Sequence, residues 1–349
     1  LERCPAKVVA ITGTQGKSST AHFLYQLLIA SELPSRLGGN IGRSLLDELG
    51  SMSAQETCVL ELSSYQLEGL SSEIRETPIS MGILTNLQED HLERHGSAEA
   101  YHLAKLELAS LLEPDATMLA GEGVTLRARE LTPSALERIC LRECDASTQA
   151  AGDSFTFMGE VLGSTADAAH LPEFQRANLL LALSAARLLG AESSDLSAAI
   201  PGLTGLEHRL EDLGLIAGRH VFDNGVSTTP DSTRSAITSL NGPLTLIAGG
   251  QAKALPIEEL VLAISERAVQ VVLFGACAEE WARALRASDV MCEITSNVPE
   301  AVDRALSLCE DGETILFSPA AASFDAYLNF RERAAEFRSA IHRHSRNDK

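Results

Sequence analysis

Lys7-Val8-Val9-Ala10-Ile11-Thr12-Gly13-Thr14-Gln15-Gly16-Lys17-Ser18-Ser19 is the stretch whose reading decides the fold. Its first six residues make a short apolar run of the buried-strand type, and Gly13 ends it. From Ser18 to Ala30 the apolar residues Phe23, Leu24, Leu27 and Leu28 recur at helical spacing, so a helix follows the loop. Between strand and helix, glycines let backbone N–H groups converge on an anion, Lys17 adds a point charge, and the Ser18 hydroxyl suits Mg²⁺. Gly13, Thr14, Gln15, Gly16, Lys17, Ser18 and Ser19 are therefore the candidate nucleotide-binding residues. The run counted from Gly13 is shorter than the general GxxxxGK[ST] form, and a plain glycine-rich turn before a helix is the competing reading. Strand, loop, Lys-Ser and helix in one run favour the nucleotide.

Outward from that stretch, further apolar runs predict strands at 58–62, 79–85 and 117–120, with helical periodicity over 97–113 and 173–190. Buried strands alternating with helices imply a parallel α/β sheet. Pro201-Gly202-Leu203-Thr204-Gly205 reads as a linker, placing a domain boundary near 206. Beyond it a second α/β series predicts strands at 220–223, 244–248, 269–274 and 314–317. Helices are predicted over 230–240, 256–267, 277–287, 297–309 and 326–343. The expectation is two α/β domains, 1–205 and 206–349.

A chain of 349 residues with 45% apolar and 22% charged residues has a globular composition. No apolar run approaches the roughly 18–20 residues of a membrane span, and residues 1–7 lack the apolar core of a signal peptide. Seven scattered cysteines without a CxxC pair predict reduced thiols of a cytoplasmic protein. The formal charge of −20 disfavours nucleic acid and anionic membranes, so a phosphate ligand needs local, well-aimed groups. Only five residues are lysine: Lys7, Lys17, Lys105, Lys253 and Lys349. In a chain that otherwise uses arginine, the interior three stand out, although compositional drift toward arginine explains the scarcity as well.

Glu61 ends the apolar run Cys58-Val59-Leu60, where a carboxylate at the end of a neighbouring parallel strand faces the ligand crevice of an open α/β sheet. It suits the Mg²⁺ shell beside Ser18, whereas alone it reads as a solvated strand-end charge. Leu84-Thr85-Asn86-Leu87-Gln88-Glu89-Asp90-His91 again sets polar groups past a strand end, and Lys105 follows within Ala104-Lys105-Leu106-Glu107-Leu108. A single histidine or helix lysine is by itself more often structural.

Taken in order, the loop, Gly38-Gly39-Asn40-Ile41-Gly42, Glu61-Leu62-Ser63-Ser64-Tyr65-Gln66-Leu67, Glu89-Asp90-His91-Leu92-Glu93-Arg94-His95-Gly96, Glu207-His208-Arg209-Leu210-Glu211 and Ser318-Pro319-Ala320-Ala321-Ala322-Ser323-Phe324-Asp325 resemble the Mur ligases over essentially the whole chain. Within that family they are most similar to the branch that adds glutamate to UDP-N-acetylmuramoyl-L-alanine. The resemblance implies a P-loop-type, mostly parallel central ATPase domain followed by a smaller Rossmann-like α/β domain. It implies ATP and Mg²⁺, with Lys17 and Ser18 on the phosphates and a first metal, and Glu61 on that metal. His91 and a carbamylated Lys105 are implied at a second metal. Asn40 and Ser63 are implied near the muramoyl substrate, Gln175 and Asn224 near the nucleotide, and Arg209 on ATP. Thr228, Lys253, Ser323, Phe324 and Phe330 are implied around the incoming glutamate.

Three departures from the family pattern stand out. Asn224-Gly225-Val226 replaces Asp-Ser-Lys, so an amide stands at a nucleotide-contacting acid and a valine at a lysine near glutamate. Phe174-Gln175 replaces a His-Asn pair. The family's N-terminal UDP-binding domain has no counterpart in these residues, from which the expectation is Mg-ATP binding but poor ligation of the UDP-linked acceptor. The implied chemistry is peptide-precursor synthesis for the cell wall: the acceptor carboxylate takes the γ-phosphoryl group and the glutamate amine displaces it. Ser227-Thr228-Thr229-Pro230 looks like the loop of L-glutamate-adding relatives, so L-glutamate, another acid, or an ATP-binding module without turnover stand as alternatives.

Overall fold

A computed structural model describes the chain except residues 42–43, 72–78, 89–94, 122, 138, 145–152, 172–174, 254, 268–269 and 346–349. It divides into two compact units, Leu1–Gly205 and Leu206–Lys349.

The first unit is built on β1 (Lys7–Thr12), α1 (Lys17–Ala30), β2 (Ser35–Gly39), β3 (Thr57–Glu61), α2 (Ser64–Ser71) and β4 (Ile79–Leu84). There follow α3 (Ala98–Ser110), β5 (Leu112–Gly121), α4 (Val124–Leu131) and β6 (Cys140–Cys144). A hairpin of β7 (Ser154–Phe157) and β8 (Glu160–Ser164) then leads to α5 (Arg176–Leu188) and α6 (Ser193–Ala199). The sheet order is β2-β3-β1-β4-β5-β6, every pair parallel. Alternation along β1 explains its all-apolar sequence. Val9 and Ile11 enter a core with Phe23, Leu24 and Leu27 of α1 and Leu179 and Leu183 of α5, while Val8 and Ala10 enter a second core with Leu106 and Leu108 of α3. The order reverses at β1, which has β3 on one side and β4 on the other, and the crevice past such strand ends is where open α/β sheets bind ligands.

The second unit runs β9 (Glu211–Ile216), β10 (Arg219–Asp223), α7 (Pro230–Ser239), β11 (Leu244–Gly249), α8 (Glu258–Glu266) and β12 (Gln270–Phe274). It continues through α9 (Ala278–Ala287), β13 (Cys292–Ile294), α10 (Val298–Leu308), β14 (Thr314–Phe317) and α11 (Phe330–Ser345). Its sheet order is β13-β12-β11-β14-β10-β9, parallel except for β9 against β10. Three loops therefore leave neighbouring strand ends at one edge: those after β10, β11 and β14. An antiparallel bridge between Gln251 and Ala322 ties the latter two.

The structure corrects the element boundaries in several places. Strand β5 starts at Leu112 rather than 117, and the expected helix over 97–113 stops at Ser110. The helix expected from 326 starts at Phe330, leaving 323–329 as loop. Strands β2, β6, β7, β8, β9 and β13 carry no long apolar run, because edge strands and hairpins are only partly buried.

Candidate active site

The glycine loop after β1 folds around its own lysine. Lys17 Nζ donates to the carbonyls of Gly13 (3.0 Å) and Thr14 (2.7 Å), so the ammonium sits over the loop where a phosphate charge would meet it. The loop is stapled to the end of β4. Thr14 N donates to Asn86 O (3.1 Å), Gln15 N donates to Asn86 Oδ1 (2.9 Å), and the Thr85 hydroxyl donates to Gln15 O. Gly13 is obligatory, since a Cβ there would stand 2.0 Å from Thr85 Oγ1. Gly16 has φ +77°, and its Cβ would stand 2.1 Å from Asn178 Oδ1 of α5. Ser18 and Ser19 lie buried in the first turn of α1, whose N-terminal N–H groups face the loop.

Glu61 pairs with Ile11 of β1 in the strand register, which places it beside the start of the loop. It is 2% exposed. Asn40 Nδ2 donates to its Oε1 (3.1 Å) and Asn40 N to its carbonyl (2.9 Å), while Oε2 is buried without a hydrogen-bond partner. A buried carboxylate oxygen left unpaired is costly unless a cation takes it. The donor set of Glu61 and Ser18 is all oxygen, as Mg²⁺ requires, so these residues fit that ion.

Lys105 is 1% exposed on α3, with Nζ 4.2 Å from the Tyr101 ring centroid. His91 lies outside the described residues. Ser63 is used locally: its hydroxyl and N–H bond Gln66 Oε1 (3.1 and 2.9 Å), and Gln66 N returns a bond to Ser63 Oγ, a capping box that starts α2. Gln175 is buried, and its Oε1 accepts from Asn178 Nδ2 (2.8 Å).

In the second unit Lys253 Nζ donates to Thr228 Oγ1 (3.3 Å), so the loops after β10 and β11 present these two residues together. Ser323 is buried, whereas Phe324 is 71% exposed on the loop after β14. Phe330 stands edge-on to the His208 ring at 6.5 Å. Asn224 is buried with both polar ends used: Oδ1 accepts from Leu210 N (3.1 Å) and Nδ2 donates to Ser318 Oγ (2.9 Å). It thereby shapes the turn that carries the exposed Arg209, rather than presenting its amide at the surface. Asp223 accepts from His208 Nδ1 (2.7 Å) and Arg338 Nε (2.7 Å), and His208 N donates to Glu211 Oε2 (2.8 Å). Arg338 bonds both Asp223 and Glu211, so the three-residue group of His208, Glu211 and Asp223 already holds a cation of the protein's own.

Residues 11–186 match the Mur ligase middle domain, half of the chain, and residues 208–321 match the Mur ligase glutamate ligase domain. The chain belongs to the Mur ligase family. Proteins named UDP-N-acetylmuramoylalanine--D-glutamate ligase align along nearly all of it. That of Symbiobacterium thermophilum is 30% identical across 98% of this chain and 76% of its own length. That of Halalkalibacterium halodurans is 31% identical across 96% and 74%. That of Geobacter metallireducens is 32% identical across 96% and 74%. Among solved structures, a MurF ligase from Thermotoga maritima in complex with ADP superposes with a TM-score of 0.66 at 17% identity, over 100% of this chain and 82% of the other. A UDP-N-acetylmuramoyl-L-alanyl-D-glutamate–2,6-diaminopimelate ligase gives 0.61 at 18% identity, over 97% and 79%. These two share the fold.

As a Mur ligase the chain is an ATP-dependent ligase. Sequence reading missed several residues that shape this ligase's loops. Thr85 and Asn86 were visible only as polar groups past a strand, with no sign that they brace the glycine loop. Asn178 carried one usable signal, a buried amide on the apolar helix α5. Arg333 carried none, because arginine on an amphipathic helix reads as solvated.

Proposed function

We propose that the chain joins the amine of D-glutamate to the alanyl carboxylate of UDP-N-acetylmuramoyl-L-alanine at the expense of ATP, a step of peptidoglycan precursor synthesis. The substrate identity rests on the named relatives along 98% of the chain. The observation that carries the chemistry is the unpartnered Glu61 oxygen beside the Lys17 loop. In the first unit the N–H groups of Gly13–Ser19 and Lys17 bind and orient the polyphosphate. Ser18 and Glu61 would hold one Mg²⁺, and His91 with a carbamylated Lys105 a second. Bound there, Mg²⁺ supplies neutralisation of the charge on the transferring phosphoryl group. Carbamylation fits a buried lysine: a neutral amine adds CO₂, loses a proton and becomes an anionic oxygen ligand.

The acceptor carboxylate oxygen forms a bond to the γ-phosphorus as the bond to ADP breaks. The glutamate amine then adds to the acyl carbon, loses its proton and expels phosphate. What the chain contributes is the alignment of two anions and of an amine with an acyl carbon. In the second unit Thr228, Lys253 and Ser323 are the proposed contacts of the amino acid, with Phe324 and Phe330 flanking them, and Arg209 is the proposed ATP contact.

The test is phosphate release from the chain with ATP, UDP-N-acetylmuramoyl-L-alanine and either enantiomer of glutamate, each component omitted in turn. Release that requires all components and prefers D-glutamate is expected. Release that prefers L-glutamate would move the substrate to the other enantiomer, and release independent of glutamate would overturn the ligase chemistry.

A further inference from the structure

Arg333, on α11, is completely buried. Its Nη1 donates to the carbonyls of Gly249 (3.3 Å), Ala321 (2.9 Å) and Ala322 (3.1 Å), and Nη2 reaches the Gly225 carbonyl at 3.5 Å. Among the described residues no carboxylate lies within ion-pair distance of it. Asp325, whose charge acts on it from further off, accepts instead from Ala276 N (3.1 Å). Burial lowers the guanidinium to about 10, which leaves it charged at neutral pH.

The carbonyls it gathers lie in the loops after β10 and β14 and on Gly249, the last residue of β11, from which the third loop departs. Gly225 precedes Thr228, Gly249 precedes Lys253, and Ala321 and Ala322 precede Ser323. One cation thus fixes the backbones of all three loops that carry the proposed amino-acid contacts. Two further features show how tightly they are fixed. A Cβ on Gly250 would stand 2.8 Å from Arg333 Nη1 and 2.3 Å from Ala322 O. Ala320 holds a left-handed φ of 60°, a strain that persists only where the surroundings over-determine the backbone.

We propose that Arg333 is the positioning residue of the amino-acid site, holding the loops of Thr228, Lys253 and Ser323 in one register by binding their carbonyls. This rests on the reading of those loops as the glutamate site. A buried cation without a carboxylate is an expensive way to stabilise a core, since an apolar side chain of the same volume does so at less cost. What it adds is geometry that an apolar residue cannot supply. It also places positive charge beneath a site for an amino acid with two carboxylates, in a chain whose net charge of −20 repels it.

The test uses the full chain with Arg333→Met and Arg333→Lys. Arg333→Met is expected to raise KM for D-glutamate about tenfold or more, with KM for ATP within about twofold. Arg333→Lys, which keeps the charge but fewer donors, is expected to fall between. In parallel, hydrogen exchange is read at the Gln251 and Ala322 amides, which bond each other's carbonyls across the two loops. They should lose protection in the methionine variant and regain part of it in the lysine variant. Unchanged glutamate KM and unchanged protection, or equal shifts of both KM values, would overturn the proposal. If the methionine variant does not fold, the lysine variant is read by the same criteria. If the unsubstituted chain shows no D-glutamate-dependent turnover, the functional reading fails and the exchange measurement alone decides whether Arg333 fixes the loops.

Discussion

The phosphate roles proposed for Lys17 and Glu61 rest on opposite features, one a charge poised over backbone carbonyls and the other a carboxylate oxygen left unpaired. Lys17→Ala is expected to abolish ATP binding, read by calorimetry, with an unchanged circular dichroism spectrum. Undiminished affinity in the folded variant would remove the loop from the nucleotide site. Glu61→Gln removes a buried charge while Oε1 still accepts from Asn40, so thermal stability should hold or rise. Phosphate release should fall by roughly 10² or more, the scale of losing a metal contact. Stability that falls with activity intact would show that the carboxylate is structural. The glycine loop between β1 and α1 was legible in the sequence because a loop's own residues make it. Thr85, Asn86 and Asn178 were not, because their roles come from pairing across long stretches of chain.

Among the elements, the glycine loop depends on α5 as much as on its own residues. Gly16→Ala puts a methyl into the left-handed region and against Asn178, a change expected to cost about 1–3 kcal/mol. Asn178→Ala removes the obstacle, so the double variant should be less destabilised than the sum, measured by urea unfolding. Strict additivity would mean that the strain is only in φ. In the second unit Thr229 caps α7 by accepting from Ser232 N, and Thr229→Ala should cost about 1 kcal/mol. Trp281, the only tryptophan, lies buried on α9 and reports that unit by fluorescence. An unshifted transition would contradict the cap. The central strands β1, β3, β4, β11, β12 and β14 were legible because burial on both faces writes continuous apolar runs. Edge strand β2, Ser-Arg-Leu-Gly-Gly, and strand β6, Cys-Leu-Arg-Glu-Cys, show no such run, since one side of each is open.

For the whole molecule, the two units and their order were legible from the Pro/Gly-rich stretch at 201–205 and the repeated strand–helix alternation. The filling of Asn224 was not, because only the folded turn shows Leu210 and Ser318 taking both its ends. Both units also bury thiols. Burial pushes Cys144 and Cys277 up to about 11, above the value they recover on unfolding. The unfolded chain then loses these protons first, so their contribution is complete below about pH 9 and fades as pH rises towards 11. Each is of order 2 kcal/mol at most. The thermal midpoint should fall across that window, and a Cys144→Ala, Cys277→Ala variant should show a shallower fall; an identical slope would assign it to other groups. The central claim is that this chain activates an acceptor carboxylate with ATP. It is tested most directly with UDP-N-acetylmuramoyl-L-alanine labelled with ¹⁸O in the alanyl carboxylate. Turnover with D-glutamate should place one ¹⁸O in the released phosphate, because the oxygen that attacks the γ-phosphorus leaves with it. Released phosphate without the label, or product formed with no phosphate released, would contradict the account.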